Sequence, residues 1–423
     1  MSTQESTEQR AGAARPALAR LLALDPEEFA EHHWGKDPLL STGQQRGDNR
    51  FSDLFSLDAV DELIARRGLR APFLRVARDG TTHGDAAFTS GGGIGAGISD
   101  QVSEDKVLRL FAEGSTLVLQ GLHRTWGPIV DFSQQLAADL GHPVQVNAYV
   151  TPSQNQGFAD HYDVHDVFVL QVHGEKHWRI HEPVLRSPLR DQPWADRKAA
   201  VEQEAARPPV LDAVLRPGDC LYLPRGFIHA ATALGGVSAH LTIGVHGWTR
   251  HHLVEQLQHA ALAEVAGDQQ VRASLPLGID VTDPDALSQD VELARRALIR
   301  ALESVPAAEL AQALRRRARD AQRAATIRPL AQLSAVDDLT ADRMLRLRAH
   351  LMVEVDQVAD GWIQVRSRVG RFGISSAHQG ALAHLRTGDP VRVGDLDPDG
   401  AVALEAARQF VRHGIAIAVQ VNG

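Results

Sequence analysis

Short apolar runs separated by turn signals fill the middle of the chain and constrain its fold more than any other feature. Between residues 116 and 250 these runs are STLVLQGL, HPVQVNAYV, DVFVLQVHG, KHWRIH, AVLRPGDCLYLP and SAHLTIGVH. Stretches such as HGEK and RPGD carry the glycine, proline and polar residues that turns require. Many short strands at close spacing are typical of a barrel or jelly roll. The segment therefore predicts a β-barrel or jelly roll.

The flanking segments have a different texture. Residues 1–15 are small and polar and predict a disordered tail. Residues 251–265 and 287–320 are rich in Ala, Leu and Arg with helical periodicity. From about residue 335 the chain holds the strand-like pieces GWIQVRS and RFGISS, the helical run GAVALEAARQFVRHG and a last strand, IAIAVQV. That order is typical of a small winged-helix module, so we expect an α+β protein with several domains.

Composition restricts the location and the partners. The chain has 423 residues, a net charge of −9 and one cysteine, Cys220. A single cysteine allows neither an intrachain disulfide nor a cysteine metal cluster, which favours a reducing cytoplasm. No signal-peptide layout and no apolar run of about 18 residues occur, so we expect no membrane association. The negative charge argues against a chain whose main task is to coat nucleic acid.

One His-x-Asp triplet stands out by its context. Two such triplets occur, about as many as chance predicts, and His83-Gly-Asp85 lies in a polar Gly/Thr-rich segment. His161-Tyr-Asp163 instead directly precedes the strand-like DVFVLQV. Residues i and i+2 of an extended strand point to one face, so both side chains can reach one ion. His229, after the turn-like Pro-Arg-Gly of LYLPRGFIHAATA, is the candidate third ligand.

This ligand set indicates a class of metal. Two imidazoles and one carboxylate leave adjacent coordination positions open, which suits a non-haem Fe(II) that must hold a chelating co-substrate and O2. The same donors also suit Mn or Zn. For the co-substrate, Lys176 offers a cation, and Asn147 and Tyr149 form a same-face polar pair on an apolar strand. Such buried polar groups need partners, and a bound acid could supply them.

Other histidines of this region allow alternatives. His165 shares the alternation of Asp163 and is a candidate near-site acid or base, or a rival ligand. His240 lies on a late barrel strand, and we interpret it as a satisfied interior group rather than a ligand.

Three long motifs resemble the Jumonji C (JmjC) 2-oxoglutarate oxygenases of the cupin superfamily. More narrowly, they resemble the ribosomal oxygenases, which hydroxylate histidine or arginine side chains of ribosomal proteins. The motifs are TLVLQGLH, NAYVTPSQNQGFADHYDVHDVFVLQVHGEKHW and RPGDCLYLPRGFIHAATA. The resemblance implies a double-stranded β-helix catalytic domain over 16–250, a helical dimerisation domain over 251–334 and a winged-helix domain over 335–423.

The resemblance also implies roles for individual residues. The iron ligands fall on His161, Asp163 and His229. Lys176 falls on the residue that pairs with the distal carboxylate of 2-oxoglutarate, and Asn147 on the asparagine near its proximal end. Tyr149 matches a tyrosine that lies close to the substrate side chain.

Two positions depart from the family pattern. Histidine hydroxylases of the family carry a serine late in the barrel where this chain has Gly244. The bacterial arginine hydroxylases use arginine where this chain has Lys176. The sequence therefore matches neither substrate class fully.

Three functional hypotheses follow. The first is an Fe(II)- and 2-oxoglutarate-dependent hydroxylase of a ribosomal protein or other basic polypeptide, which consumes O2, releases succinate and CO2 and works as a homodimer. The second keeps this chemistry for a small molecule or peptide natural product. The third is a DNA-binding metabolite sensor, for which the basic run 315–323 is the main support. The predicted recognition helix has few basic residues, so direct nucleic-acid binding is the least favoured.

Overall fold

The chain separates into two units, each with its own hydrophobic core. The computed structural model describes residues 15–47, 50–78, 80–153, 159–359 and 361–419. The units are Met1–Gly247 and Trp248–Gly423. The tail predicted at residues 1–15 lies outside the described residues except for Arg15.

A large antiparallel sheet dominates the first unit. The strands of this unit are β1 (Leu39–Ser41), β2 (Leu74–Arg78), β3 (Thr81–Thr82), β4 (Thr89–Ser90), β5 (Gln101–Val102), β6 (Thr116–Leu119), β7 (Val144–Thr151), β8 (Asp166–His181), β9 (Leu211–Leu215), β10 (Cys220–Leu223) and β11 (Ile228–Val245). Nine of them form one sheet in the order β1-β10-β8-β11-β7-β6-β2-β3, with β9 paired to β8, whereas β4 and β5 pair with each other. The β-rich region predicted between residues 116 and 250 thus belongs to one large antiparallel sheet.

Strand β7 shows how the sequence builds this sheet. Val144, Val146, Ala148 and Val150 alternate along it and are buried in the main core. Because successive side chains of a strand point to opposite faces, the intervening residues are turned to the other face. That second face carries Gln145, Asn147 and Tyr149, and it is the face on which the candidate site lies.

Two strands are longer than the sequence predicts. The runs DVFVLQVHG and KHWRIH form the single 16-residue strand β8, although HGEK predicts a turn between them. Gly174 does adopt a left-handed conformation, with φ of 62°. The strand continues because β11 bends with it: the pairing register between the two strands shifts after Leu234 and resumes at Ala239. The predicted turn is therefore a bulge in a continuous ladder.

The helices of the first unit cover the core side of the sheet, except for the last of them, which packs in a separate cluster. They are α1 (Pro16–Ala19), α2 (Pro26–His32), α3 (Leu57–Arg66), α4 (Glu104–Ala112), α5 (Leu122–Thr125), α6 (Gly127–Leu140) and α7 (Lys198–Ala205), with short 3-10 turns at Asp85–Ala87 and Trp194–Arg197. Their buried residues Phe29, Leu63 and Leu136 join the cluster that contains Phe168 and Leu170 of β8. This packing fixes the sheet from one side and leaves its other face for the site.

The second unit begins with helices and ends with small sheets. Its helices are α8 (Arg250–Val265), α9 (Pro284–Ser304), α10 (Ala307–Ala321), α11 (Pro329–Asp337), α12 (Gln379–Leu385) and α13 (Gly400–Arg412), with 3-10 turns at Ser376–His378 and Val393–Asp395. Its strands are β12 (Met344–Leu347), β13 (Glu354–Ala359), β14 (Trp362–Ser367), β15 (Gly370–Ser375), β16 (Val391–Arg392) and β17 (Ala416–Ala418). The helix predicted over 287–320 is interrupted, because Pro306 begins a new helix.

The small strands of the second unit form two three-stranded sheets. Strands β13, β14 and β15 pair in sequence, and β12 pairs with β16 and β17. A separate core built around Leu345, Ile363, Leu382 and Phe410 holds these elements together. In the described part of the chain no helix is long and apolar enough to cross a membrane.

Candidate metal centre and its cavity

The three predicted ligands come together at the end of β11. His161 and His229 form an isolated antiparallel bridge, in which the His229 amide donates to the His161 carbonyl at 2.8 Å and the His161 amide donates to the His229 carbonyl at 3.2 Å. The Gly226 amide donates to the Asp163 carbonyl at 3.0 Å. The segment that carries His161 and Asp163 is thus attached by its backbone to the turn and strand that carry His229.

The side chains of this triad have the spacing of metal ligands. One ligand atom from each of His161, Asp163 and His229 lies within 4.8 Å of the others. The two imidazole rings have centroids 4.4 Å apart, and His229 Nε2 lies 3.8 Å from an Asp163 carboxylate oxygen. Atoms at these separations can all contact one ion at about 2 Å.

Backbone carbonyls orient both imidazoles. His161 Nδ1 lies 2.7 Å from the Ala159 carbonyl, and His229 Nδ1 lies 3.0 Å from the Phe227 carbonyl. A carbonyl oxygen only accepts, so each Nδ1 carries the proton and each Nε2 keeps its lone pair. This arrangement commonly fixes metal-binding histidines, and it directs both Nε2 atoms to the ion.

The ionisation states of the triad also suit metal binding. Burial, and then the neighbouring His161 ring, lower the pKa of His229 to about 4. Burial alone would raise the pKa of Asp163, but the imidazoles of His165, His229 and His161 outweigh it and the net shift is downward. At neutral pH the triad therefore offers a neutral His229 imidazole and a carboxylate. Two imidazole ligands and one carboxylate fit Fe(II), and they also fit Mn or Zn.

The triad opens into a cavity on the inner face of the sheet. The described residues that line the cavity besides the triad are Thr116, Tyr149, Val167, Val169, Lys176, Trp178, Ala230, Ala231, His240 and Thr242. They come from β6, β7, β8 and β11, so the strands that the sequence predicts form its walls. The cavity joins the predicted metal site to the predicted co-substrate cation.

Lys176 is the cation of this cavity. It is buried, and its Nζ lies 3.3 Å from Thr151 Oγ1, which in turn accepts from Thr116 Oγ1 at 3.3 Å. Burial lowers the pKa of Lys176 to about 7. No carboxylate within salt-bridge distance of Lys176 is found among the described residues. A buried amine in this situation is suited to an anionic ligand.

Tyr149 and Asn147 are placed differently. Tyr149 lines the cavity, and burial together with the Asp163 carboxylate raises its pKa to about 12. Asn147 lies on the same face of β7 but is not among the described lining residues. Its Oδ1 accepts a hydrogen bond from the Gly121 amide at 3.1 Å. Its contact with a co-substrate therefore stays a prediction.

Sequence reasoning missed part of the cavity wall. Trp178 packs between His229 and His240, with ring centroids 6.1 Å and 5.4 Å away. Our interpretation of His240 as a satisfied interior group differs from the structure, because its Nδ1 is buried without a hydrogen-bond partner among the described residues. Strand alternation could have identified Trp178 as a cavity residue, since it is two residues from Lys176 on β8 and therefore faces the same side.

Comparison with known proteins agrees with this geometry. Residues 129–253 match the JmjC domain, and this range contains the whole triad and Lys176. Over these residues the chain is similar to JmjC domains. The chain is 32% identical over 258 residues to ribosomal oxygenase 1 of Gallus gallus, a match that spans 60% of this chain and 40% of the relative. It is 30% identical over 264 residues to the bifunctional lysine-specific demethylase and histidyl-hydroxylase NO66 of Aedes aegypti, spanning 60% of this chain and 38% of the relative.

These relatives are longer proteins, and the chain spans about 40% of their length. Solved structures extend the likeness in fold to most of this chain. The X-ray structure of E. coli ycfD has a TM-score of 0.55 at 19% identity, covering 94% of this chain and 99% of that one. A complex of E. coli YcfD, a ribosomal oxygenase, with cobalt and 2-oxoglutarate has a TM-score of 0.51 at 18% identity, with the same coverage.

Proposed function

We propose that this chain is an Fe(II)- and 2-oxoglutarate-dependent oxygenase that hydroxylates a side chain, His or Arg, of a ribosomal protein. One observation carries the proposal: the His161, Asp163 and His229 triad and the buried Lys176 line the same cavity. The names of its relatives, ribosomal oxygenase 1 and histidyl-hydroxylase NO66, support a protein substrate.

Each residue of the cavity has a task in this proposal. His161, Asp163 and His229 would hold Fe(II), which together with 2-oxoglutarate and O2 supplies the oxidation of a C–H bond. Lys176 binds the distal carboxylate of 2-oxoglutarate, and Asn147 lies near its proximal end. Tyr149 borders the substrate side chain. The apolar side chains of Val167, Val169 and Ala231 line the space between them.

The test compares the aspartates of the two His-x-Asp triplets. Asp163→Ala should abolish Fe(II) binding and succinate formation. Asp85→Ala is the matched control, because Asp85 belongs to the other His-x-Asp triplet and is exposed. Intact-mass comparison of ribosomal proteins from cells with and without the chain should show a shift of one oxygen. Undiminished turnover in Asp163→Ala would sink the assignment.

We propose in addition the domain arrangement that the family resemblance implies. A double-stranded β-helix over 16–250 carries the site, a helical region over 251–334 forms a homodimer, and residues 335–423 form a winged-helix domain. Exposed apolar side chains on α8 and α9, among them Val254, Leu262 and Ile299, support the dimer. Light scattering of the purified chain should give twice its monomer mass.

The remaining proposals concern partner and location. A net charge of −9 suits a basic polypeptide as substrate, and a single cysteine suits the cytoplasm. The basic run 315–323 does not favour nucleic acid, because Arg315 and Arg319 form ion pairs with Glu354 and Arg317 with Glu255.

A second candidate function is a hydroxylase of a small molecule or peptide natural product. Gly244 motivates it, since the ring of His165 occupies the space beside this glycine and changes the surroundings expected for a family substrate. If no ribosomal protein changes mass while succinate formation responds to small-molecule extracts, this candidate replaces the first.

A further inference from the structure

His240 is a buried polar residue that the proposed function leaves without a task. It is 3% exposed and faces Tyr149 across the β7–β11 pairing. Both residues line the cavity that contains Lys176 and the triad. A histidine in this position forms hydrogen bonds either to other protein groups or to a bound ligand. The contacts of its ring nitrogens distinguish these two roles.

Aromatic packing holds the His240 ring in place without satisfying its nitrogens. The ring stacks on Tyr149 at a centroid distance of 5.1 Å and an interplanar angle of 5°, and Trp178 packs edge-on at 5.4 Å and 83°. His240 Nδ1 and Trp178 Nε1 are both buried without a hydrogen-bond partner in the described part of the chain. Leaving such groups unpaired costs free energy, so a ligand that pairs with them gains affinity.

The position of His240 indicates which part of a ligand it meets. Thr151, which contacts Lys176 Nζ at 3.3 Å, is two residues from Tyr149 on β7 and therefore lies on the same face, one row away. His240 pairs with Tyr149 and so lies in the row next to the amine. Burial, and then the nearby Lys176, lower the pKa of His240 well below its ordinary value, so the ring is neutral with one N–H to donate.

We propose that His240 is a second donor for the distal carboxylate of the bound keto acid, with Lys176 pairing one carboxylate oxygen and the imidazole N–H pairing the other. This inference rests on the proposed function. It makes recognition of the dicarboxylate a two-point contact, in which Tyr149 sets the plane of the imidazole.

The experiment measures keto-acid affinity of the full-length, Mn(II)-loaded protein by calorimetry. The two ligands are 2-oxoglutarate and 2-oxopentanoate, which replaces the distal carboxylate with a methyl group. His240→Phe keeps the stacking on Tyr149 but removes the donor. We expect it to weaken 2-oxoglutarate binding at least about tenfold, as for loss of a hydrogen bond to a charged group, and to leave 2-oxopentanoate binding unchanged. His240→Gln, which retains an N–H donor, should recover most of the loss.

A matched control is available on β8. His181 is 1% exposed, and both its nitrogens lack hydrogen-bond partners among the described residues, but it does not line the cavity. His181→Phe should therefore bind both keto acids like the unmodified protein. If His240→Phe weakens both ligands equally, or neither, the inference is wrong. If the unmodified protein fails to bind 2-oxoglutarate, or Lys176→Met binds it equally well, the proposed function itself is wrong.

Discussion

Lys176 gives ligand binding a proton dependence that can be measured. Because burial lowers its pKa to about 7, the amine is largely neutral in the free folded protein above that pH, whereas in the unfolded chain it stays charged up to its ordinary value of 10.5. This shift costs stability as the pH falls, since the unfolded state binds the proton more readily. A bound carboxylate favours the charged amine and draws a proton back.

We therefore expect 2-oxoglutarate binding to take up about one proton near pH 8.5 and close to none near pH 6. The apparent affinity should fall as the pH rises from about 7 to 9. Calorimetry in buffers of different ionisation enthalpy measures the uptake. Lys176→Arg, whose side chain stays charged, should bind without it. An uptake that persists in Lys176→Arg would assign the proton to another group.

The ring of His165 lies against Gly244 near the end of β11. A Cβ at Gly244 would lie 3.0 Å from His165 Cε1 and 3.2 Å from Gln145 Cγ. We expect Gly244→Ala to lower the free energy of unfolding by about 1 kcal/mol, and by less than half of that when His165→Ala is also present. Urea unfolding of the four proteins gives the coupling. Strictly additive effects would show that the two positions do not interact.

At the residue scale the sequence predicts the cluster of candidate ligands better than its surroundings. His161 and Asp163 come together with His229 as the sequence predicts, although His161 forms only an isolated bridge and Asp163 precedes β8. Asn147 fits the alternation of β7, but the Gly121 amide already occupies its Oδ1. The unpaired state of His240 depends on how β7, β8 and β11 meet, and this packing is not encoded in the local pattern of any one strand.

At the scale of secondary-structure elements, Gly174 allows β8 to continue as one strand. Its φ is 62°, and a Cβ at this position would clash with the Val237 carbonyl. Gly174→Ala should therefore destabilise the protein by about 2–4 kcal/mol, through backbone strain together with the clash. It should also weaken keto-acid binding, because Lys176 is two residues away.

Gly235 provides the control for this prediction. Its φ is 70°, but nothing lies within 4 Å of a Cβ placed there. Gly235→Ala should cost only the backbone strain, about 1 kcal/mol. Thermal or urea unfolding of both variants separates the two contributions. Equal costs at the two glycines would show that the contact with Val237 is unimportant.

The strands themselves are predictable, but their lengths are not. Apolar alternation identifies β7 and both halves of β8. The sequence HGEK carries the residues of a turn, and Gly174 does take a turn-like conformation. Whether the chain reverses or continues there depends on the partner strand, and β11 stays paired with both halves of β8 across a shift in register. Likewise, helical periodicity indicates a helix over 287–320. It does not by itself show that this segment is divided into two helices at Pro306.

Two separate cores have a thermodynamic consequence for the whole molecule. The triad and Lys176 belong to Met1–Gly247, whereas the core around Leu345 and Phe410 belongs to Trp248–Gly423. We expect scanning calorimetry of the full chain to resolve two transitions. Mn(II) with 2-oxoglutarate should raise the midpoint of one of them only, because a ligand stabilises the unit that binds it.

The variant Asp163→Ala tests this prediction. Neither of the two unfolding midpoints of this variant should rise when Mn(II) and 2-oxoglutarate are added. Parallel shifts of both transitions in the unmodified protein would mean that the two units unfold together. At this scale the sequence indicates the change from strands to helices near Trp248. It does not give the packing inside the second unit, where two small sheets share one core.

The backbone bridge between His161 and His229 bears on how the protein acquires its ion. Two hydrogen bonds join these ligands independently of their side chains. Their separation is therefore set by folding and not by the metal. We therefore expect a chelator to strip the protein and a divalent ion to reload it without refolding, and the site to accept whichever fitting ion is most abundant. The concentration of each metal ion in the cell, more than the selectivity of the site, would then decide which fraction of the molecules is active.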